Sequence, residues 1–127
     1  MMSRINTRTR ELHAPTEAEA ALLGKLLSVD FPGRDALAAQ VESARVSWIE
    51  AKGVPAMVFS IDPTVGTAPV EARVAVEAVA KDADGVVIHL LLHVVDGYID
   101  ILEPYREDGE PLQTFPSPES LQLVFWT

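Results

Sequence analysis

Two histidines stand four residues apart in the most apolar stretch of the chain, the run VVIHLLLHVV at residues 86–95. An imidazole titrates near neutral pH and can act as a general base when a carboxylate orients it. If this run is a strand and Asp96-Gly97 is a two-residue turn, His93 lies opposite Asp100, with Glu77 nearby on the preceding strand. His93, Asp100 and Glu77 are therefore the candidate catalytic residues of a small hydrolase or isomerase. A solvated cross-strand ion pair without catalytic function is the alternative, and it is the interpretation we prefer.

Metal and cofactor chemistry finds little support in the sequence. His89 and His93 would suit zinc on a helix, but along a strand they lie about 13 Å apart, and nothing places His13 beside them. Cysteine is absent, which excludes disulfides, thiolate zinc sites and cysteine nucleophiles. No nucleophile elbow, phosphate-binding glycine loop or kinase signature is present. We therefore predict no metal, no cofactor and a non-enzymatic protein.

A second group of polar residues follows in the segment DGYIDILEPYREDGE at 96–110. The same register places Glu103 opposite Leu90 on the core-facing side of the sheet, where a carboxylate needs a partner such as Arg73 or Arg45. The acidic turn after the strand would extend this charge into a rim. The candidate binding residues are Glu103, Tyr105, Glu107, Asp108 and Glu110.

The charge of the chain narrows the class of partner. Its 127 residues contain 19 acidic and 10 basic side chains, for a formal net charge of −9. Such a field repels nucleic acid and anionic membrane surfaces, and it attracts basic proteins. We therefore expect a protein partner of basic character, and neither nucleic acid nor membrane.

Two amphipathic helices are predicted in the first part of the chain. Thr16 and Glu19 have the spacing of a capping box, and leucines recur at helical spacing over residues 17–28. Phe31-Pro32-Gly33 interrupts this pattern, and a shorter helix is predicted over residues 34–44. Each helix has a single apolar face, so each must pack against another element.

The remaining chain has the composition of strands separated by turns. Strands are predicted at residues 44–51, 55–61, 72–80, 86–95 and 98–105. A three-residue turn at 83–85, with Gly85 left-handed, would pair Val76 with Leu92 and Val74 with Val94. The Asp96-Gly97 turn would pair Val94 with Ile99 and Leu92 with Ile101. The predicted fold is α+β: two N-terminal helices packed on one face of an antiparallel sheet of about five strands, with a C-terminal meander.

The ends of the chain raise separate questions. We predict one domain over residues 1–127, with 1–11 as a candidate flexible segment, and a cytoplasmic location because no signal sequence or membrane-spanning run is apparent. Ser117-Pro118 resembles the start of a short helical turn. The apolar tail LVFWT must dock, and Trp126 either seals the core, which we prefer, or anchors a homodimer.

The segment at residues 82–121, together with the helical segment LHAPTEAEAALLGKLL at 12–27, resembles a family of small uncharacterised bacterial domains, often actinobacterial. The shared features are Asp84-Gly85, a histidine-containing apolar strand, Asp96-Gly97, a Leu102-Glu103 pair and a late Asp-Gly-x-Pro at 108–111. Some families similar to this one are encoded beside polymorphic toxins as immunity proteins. The resemblance implies a single-domain cytoplasmic protein. The absence of a catalytic set, the acidic charge balance and the clustered acids at 103–110 predict a non-enzymatic protein-binding module, and an immunity-type inhibitor of a basic partner is its most specific form. A His-carboxylate enzyme and a structural homodimer remain the alternatives.

Overall fold

The computed structural model describes residues 11–51 and 53–124. These residues form two α-helices and one antiparallel sheet in the order β1-β2-β5-β4-β3-β6, which confirms the α+β class. The sheet has six strands rather than about five, because a short strand near the C-terminal end was not predicted. The elements are α1 (Glu17–Leu26), α2 (Arg34–Ser43), β1 (Arg45–Ala51), β2 (Val54–Ser60), β3 (Val74–Lys81), β4 (Val87–Val95), β5 (Tyr98–Arg106) and β6 (Gln122–Val124).

The start of α1 follows from the predicted capping box. The Thr16 side chain accepts a hydrogen bond from the Glu19 backbone N–H, and the Glu19 carboxylate accepts one from the Thr16 N–H. Glu19 also accepts from the Trp48 indole at 2.6 Å and from His13 Nε2 at 2.9 Å. One carboxylate therefore caps the helix and attaches it to β1, and His13 is engaged far from the other two histidines.

A single buried cluster joins the helices to the sheet. Apolar side chains from both helices, from β3, β4 and β5, and from Leu121 belong to it. The alternation of buried and half-buried residues along β4 is regular, so one face of this strand supplies core and the other does not. The fully buried members with the largest side chains include Leu23, Leu26, Leu37, Met57, Ile88, Leu90, Leu92, Ile99 and Leu102.

The turn between β4 and β5 forms as predicted and is held from the inside. Asp96 and Gly97 have φ angles of 52° and 83°, as a type I′ turn requires, and Val94 lies opposite Ile99. The fully buried Gln40 of α2 donates to the Gly97 carbonyl at 2.8 Å and accepts from the Ile99 N–H at 3.0 Å. A buried amide with both ends satisfied therefore fixes this turn against the helix.

The register beyond that turn differs from the prediction because β5 contains a bulge. Ile99 pairs with Val94, but Ile101 pairs with His93 and Leu102 with Leu92, so one extra residue lies between the two isoleucines. Every later side chain of β5 therefore points to the face opposite to the one predicted. The prediction that Leu92 pairs with Ile101 was wrong.

The hairpin of β3 and β4 was predicted correctly over most of its length. Gly85 has a φ of 88° and Val76 lies opposite Leu92, in agreement with the three-residue turn. A second bulge, between Val74 and Val76, brings Val74 opposite His93 instead of Val94. This end of the hairpin therefore departs from the prediction by one residue.

Some predictions fall on parts of the chain without a structural description. Residues 1–10 and 125–127, and with them the proposed docking of Trp126, lie outside the described residues. Ser117-Pro118 does begin a 3-10 turn, Pro118–Ser120, which leads into β6. Of the helices in the described ranges, none is long and apolar enough to cross a membrane.

Alanine at Gly97 tests how firmly the β4–β5 turn is packed. Gly97 and Gly85 both have left-handed φ angles, but a Cβ at Gly97 would lie 2.6 Å from Thr67 Cβ, whereas nothing lies within 4 Å at Gly85. Both substitutions should cost about 1–2 kcal/mol of unfolding free energy for the left-handed backbone. Gly97→Ala should cost a further ~1–3 kcal/mol from overpacking. Urea denaturation of the two variants measures the difference in unfolding free energy. Equal decreases would show that the loop containing Thr67 moves to accommodate the added methyl group without energetic cost.

Candidate functional site

The histidines and the acids of β5 meet on the outer face of the sheet, the face directed away from the large buried cluster. β4 contributes His89 and His93 to this face, and β5 contributes Ile101, Glu103 and Tyr105. Both bulges adjoin His93, since its neighbours on either side, Val74 and Ile101, each border one. Bulges redirect side chains and increase twist, so this position of the sheet is the most distorted one along β4.

His93 is paired with Glu103, and its predicted partner lies elsewhere. His93 Nε2 donates to Glu103 Oε1 at 2.9 Å. Asp100, in the bulge, lies 4.0 Å from the guanidinium of Arg73 instead, and the predicted opposition of His93 and Asp100 was wrong. His93 Nδ1 is buried and has no hydrogen-bond partner. The nitrogen that is directed outward is thus already engaged, and the free nitrogen is closed to solvent.

Glu103 lies on the outer face and not toward the core. It is opposite Leu91 rather than Leu90, and its side chain is 52% exposed. The bulge therefore removes the need for the buried arginine partner that the predicted register required. A half-exposed carboxylate with one hydrogen bond to imidazole keeps acceptor positions available for a ligand.

His89 lies between two carboxylates, a contact that the sequence did not predict. Its Nδ1 donates to Glu77 at 2.6 Å and its Nε2 donates to Glu107 at 2.7 Å. Burial alone would lower the pKa of His89, but the hydrogen bonds and charges of Glu107 and Glu77 outweigh burial and raise that pKa above its ordinary value of 6.5. Two donating nitrogens require the imidazolium form, so this residue carries positive charge on an otherwise acidic face.

Tyr105 completes this part of the surface. Its ring stacks on the His89 ring with centroids 4.7 Å apart and planes within 4°. The side chain is nevertheless exposed, and burial of its hydroxyl together with the nearby charges of Glu77, Glu107 and Glu103 raises its pKa. Tyr105 is thus a neutral aromatic side chain with one ring face against His89 and with part of its surface exposed to solvent.

Asp108 was predicted to belong to a binding rim, but its carboxylate is committed to Arg106. The Arg106 side chain is only 4% exposed, and its guanidinium donates to Asp108 at 2.6 Å, to Asp82 at 2.8 Å and to Asp84 at 3.1 Å. This arginine cluster, Arg106 with Asp82, Asp84 and Asp108, connects the end of β5 to the β3–β4 turn. The Asp108 carboxylate is therefore bonded within the cluster, although three carboxylates around one guanidinium leave the cluster with a net negative charge.

Asp82 is the most buried acid of the arginine cluster. Burial would raise its pKa, but hydrogen bonds from the Gln113 N–H, from Arg106 and from the Ala83 and Thr114 N–H groups lower it to about 2. For Asp108, the bonds from Arg106 and from the Glu110 N–H lower the pKa to about 2 as well. Because Asp82 binds the backbone at 113 and 114, the same cluster also fixes the course of the loop after β5.

A groove of about 570 Å³ lies on the outer face beside Glu103 and Tyr105. This volume is in the range of ligand-binding clefts. Apolar side chains of β1, β2 and β5 form its floor, and charged side chains stand at its edges. The lining includes Ile49, Val54, Ala56, Arg73, His93, Ile101, Glu103, Tyr105 and Glu110.

A second groove, of about 750 Å³, lies at the β3 side of the molecule. The α1–α2 connection, residues 68–72 and 74–76, and the last two residues of β6 line it, with Asp30 and Glu71 as the ionisable residues among them. Its wall is mainly short apolar side chains and loop backbone. Among the described residues its lining offers no convergent set of reactive groups, and the first groove is the better candidate site.

Comparison with known sequences identifies the family. Residues 12–116 match the family described as Domain of unknown function (DUF6984). The chain belongs to this family. Neither a curated protein nor a solved structure matches the chain. The family match extends over both helices, β1 to β5 and the arginine cluster, so the groove described above lies within the family domain.

Some residues of this surface were predicted correctly from the sequence, and others were not predicted. The predicted pairing of Val76 with Leu92 also brings Glu77 opposite Leu91, as observed, and Glu103, Tyr105 and Glu110 do lie around one groove. Asp82 and Arg106 were missed, although a lone arginine within an acidic turn is a signal for charge pairing. Within residues 11–51 and 53–124, no group of three or more histidine and acidic side chains has an arrangement suited to a metal ion.

Acid titration tests the role of Asp82. Its folded-state pKa of about 2 lies below the ordinary 3.8, so its ionisation stabilises the protein fully above about pH 4, and this contribution is lost as the pH falls toward 2. The difference in unfolding free energy between wild type and Asp82→Asn should therefore shrink over that interval. Thermal unfolding between pH 2 and 6 measures it, with the exposed Asp35→Asn as control. A difference in unfolding free energy that does not change with pH would contradict the ionised, hydrogen-bonded state of Asp82.

A proton titration tests the position of His89 between two acids. Its imidazole should titrate above 6.5 in the wild type, and Glu77→Gln or Glu107→Gln should lower that pKa because burial then opposes protonation with less compensation. The stabilisation from this arrangement is complete below pH 6.5 and is lost as the pH rises through the raised pKa. NMR titration of the ring protons gives the pKa, and the exposed Glu42→Gln should leave it unchanged. An unaltered pKa in both Gln variants would refute the arrangement.

Proposed function

We propose that this domain is a non-enzymatic binding module that recognises a basic protein through the outer face of its sheet. The binding residues are those around the groove, Glu103, Tyr105 and Glu110, with Glu107 at the adjacent edge. Asp108 is removed from this set because both of its carboxylate oxygens accept hydrogen bonds from Arg106. The proposal thus keeps four of the five predicted binding residues.

The combination of an apolar floor with exposed carboxylates at the rim is the observation that carries this proposal. Ile49, Ala56 and Ile101 are buried side chains on the outer face, and they also line the groove. A floor of this kind with an exposed aromatic residue at its edge has the composition of a protein-interaction site, in which aromatic residues and desolvated pockets contribute most of the affinity. The acidic rim favours a partner of opposite charge.

The net charge of the chain supports the same class of partner. A formal charge of −9 gives long-range attraction toward a basic protein and speeds association. An immunity-type inhibitor that covers the active cleft of a basic toxin is the most specific form of the proposal. That form rests on the resemblance to small bacterial domains, and the groove supports only the more general one.

A small hydrolase or isomerase is the second candidate, because His93 and Glu103 form an imidazole–carboxylate pair at 2.9 Å beside a groove. This pair replaces the predicted His93, Asp100 and Glu77 set. A general base must reach the proton that it removes, yet the unengaged His93 Nδ1 is buried. The binding proposal therefore accounts better for the geometry.

A structural homodimer is the third candidate, and it depends on the C-terminal tail. Leu123 packs against the large buried cluster and Val124 pairs with Glu77 at the edge of the sheet. Because residues 125–127 lie outside the described part of the chain, the anchoring of a dimer by Trp126 stays a prediction. Deletion of these residues followed by measurement of the oligomeric state would test it.

Capture of a partner from lysate by the immobilised domain tests the binding proposal. The double variant Glu103→Gln/Glu110→Gln should capture roughly tenfold less partner, because it removes two rim charges while Gln keeps an acceptor for His93. The matched control is Glu42→Gln/Glu119→Gln, which removes two exposed charges elsewhere and should capture normally. Salt at about 0.5 M should also weaken capture, since it screens surface charges. Equal capture by both double variants would exclude the groove as the binding surface.

A further inference from the structure

The floor of the outer-face groove suits the stem of a long side chain. Ile49, Ala56 and Ile101 form a buried apolar cluster distinct from the main core, and Val54 adjoins them in the lining of the groove. Lysine and arginine bury their methylene stems along such surfaces, while their charged ends remain in contact with water or with polar groups. The groove therefore accepts an extended aliphatic segment with a polar end.

The charges around the groove favour a cationic end. Arg106 lines the groove, but its guanidinium is neutralised by three aspartates and is almost fully buried. Arg73 has Asp100 as its counter-ion at 4.0 Å. The carboxylates of Glu103 and Glu110 then remain as the uncompensated charges of the lining, apart from the hydrogen bond that Glu103 accepts from His93. A carboxylate pair beside an apolar floor attracts a cation more strongly than the same pair in open water.

The ring of Tyr105 favours a planar cation. One ring face is stacked on His89, so an occupant of the groove would contact the opposite face, and Tyr105 is 43% exposed and lines the groove. A guanidinium stacks on an aromatic face and donates in a fork that matches a carboxylate, whereas an ammonium is a compact, strongly hydrated charge. Arginine therefore fits this combination better than lysine.

We propose that the groove binds one arginine side chain of the partner protein, with its stem over Ile101 and Ala56 and its guanidinium between Tyr105 and the carboxylates of Glu103 and Glu110. This inference rests on the proposed function and names the anchor residue through which the partner is recognised. An arginine buried in a pocket at the centre of an interface is a common energetic anchor.

Titration with single-residue probes tests the anchor directly. The probes are Nα-acetyl-arginine methylamide, its uncharged isostere Nα-acetyl-citrulline methylamide, and Nα-acetyl-lysine methylamide. Methyl NMR of the full chain should show arginine-dependent shifts at Ile49, Ala56 and Ile101. Arginine should bind roughly tenfold more tightly than citrulline, and lysine should fall between them, since charge-assisted hydrogen bonds are worth more than neutral ones.

Two variants locate the binding. Glu103→Gln should weaken arginine binding roughly tenfold and leave the citrulline affinity unchanged, while the exposed Glu42→Gln should change neither. Tyr105→Leu should reduce the preference for arginine over lysine, because it removes the stacking face. The methyl spectrum of each variant without probe serves as the check on folding. Equal binding of arginine and citrulline, or shifts confined to other parts of the molecule, would overturn the proposal.

The probe titration and the partner capture together distinguish a failure of the arginine site from a failure of the proposed binding function. If arginine does not bind but partner capture still depends on Glu103 and Glu110, the anchor is wrong and the binding module stands. If arginine binds as expected but capture is indifferent to those two residues, the arginine site stands and the captured protein uses another surface.

Discussion

One extra residue in β5 determines which side chains reach the outer face. The bulge at Asp100 lets Ile99 and Leu102 both enter the core, and it turns Ile101, Glu103 and Tyr105 outward. In an unbulged strand, those three side chains would face the helices, and a carboxylate would have to be buried without a partner, which is strongly unfavourable. The groove, the His93–Glu103 pair and the stacked Tyr105 all depend on this change of register.

The turns could be predicted from the sequence more accurately than the register of β5. Asp96-Gly97 and Gly85 were placed correctly because left-handed turns have strong residue preferences, and the capping box of Thr16 and Glu19 is equally local. The bulge has no comparable local signature. Its signal was the change in apolar parity, since Ile99 and Ile101 alternate but Leu102 follows directly. A carboxylate assigned to the core side at Glu103 was a second sign that the simple register could not hold along the whole strand.

Buried polar contacts hold the surroundings of the outer face in place. Gln40 fixes the β4–β5 turn just before the bulge, and Arg106 with Asp82 fixes the loop just after the strand. Such contacts join residues far apart in sequence, and a single sequence gives no direct measure of which distant polar groups meet. Both ends of β5 are therefore anchored by interactions that periodicity cannot reveal. A rigid strand between two anchors is a suitable support for a binding surface, because less order has to be imposed when a ligand binds.

The acidic residues near the end of β5 divide into two groups with different physical functions. Asp82, Asp84 and Asp108 surround one guanidinium and serve the fold, whereas Glu103 and Glu110 border the groove with little compensation. Glu77 and Glu107 belong to neither group, since His89 lies between them. The run of acids in the sequence, read as one rim, therefore overstates the number of carboxylates that border the groove. In the proposed binding of a basic protein, two carboxylates beside an apolar floor and an aromatic ring provide the specific contacts, and the total negative charge contributes mainly to the rate of encounter.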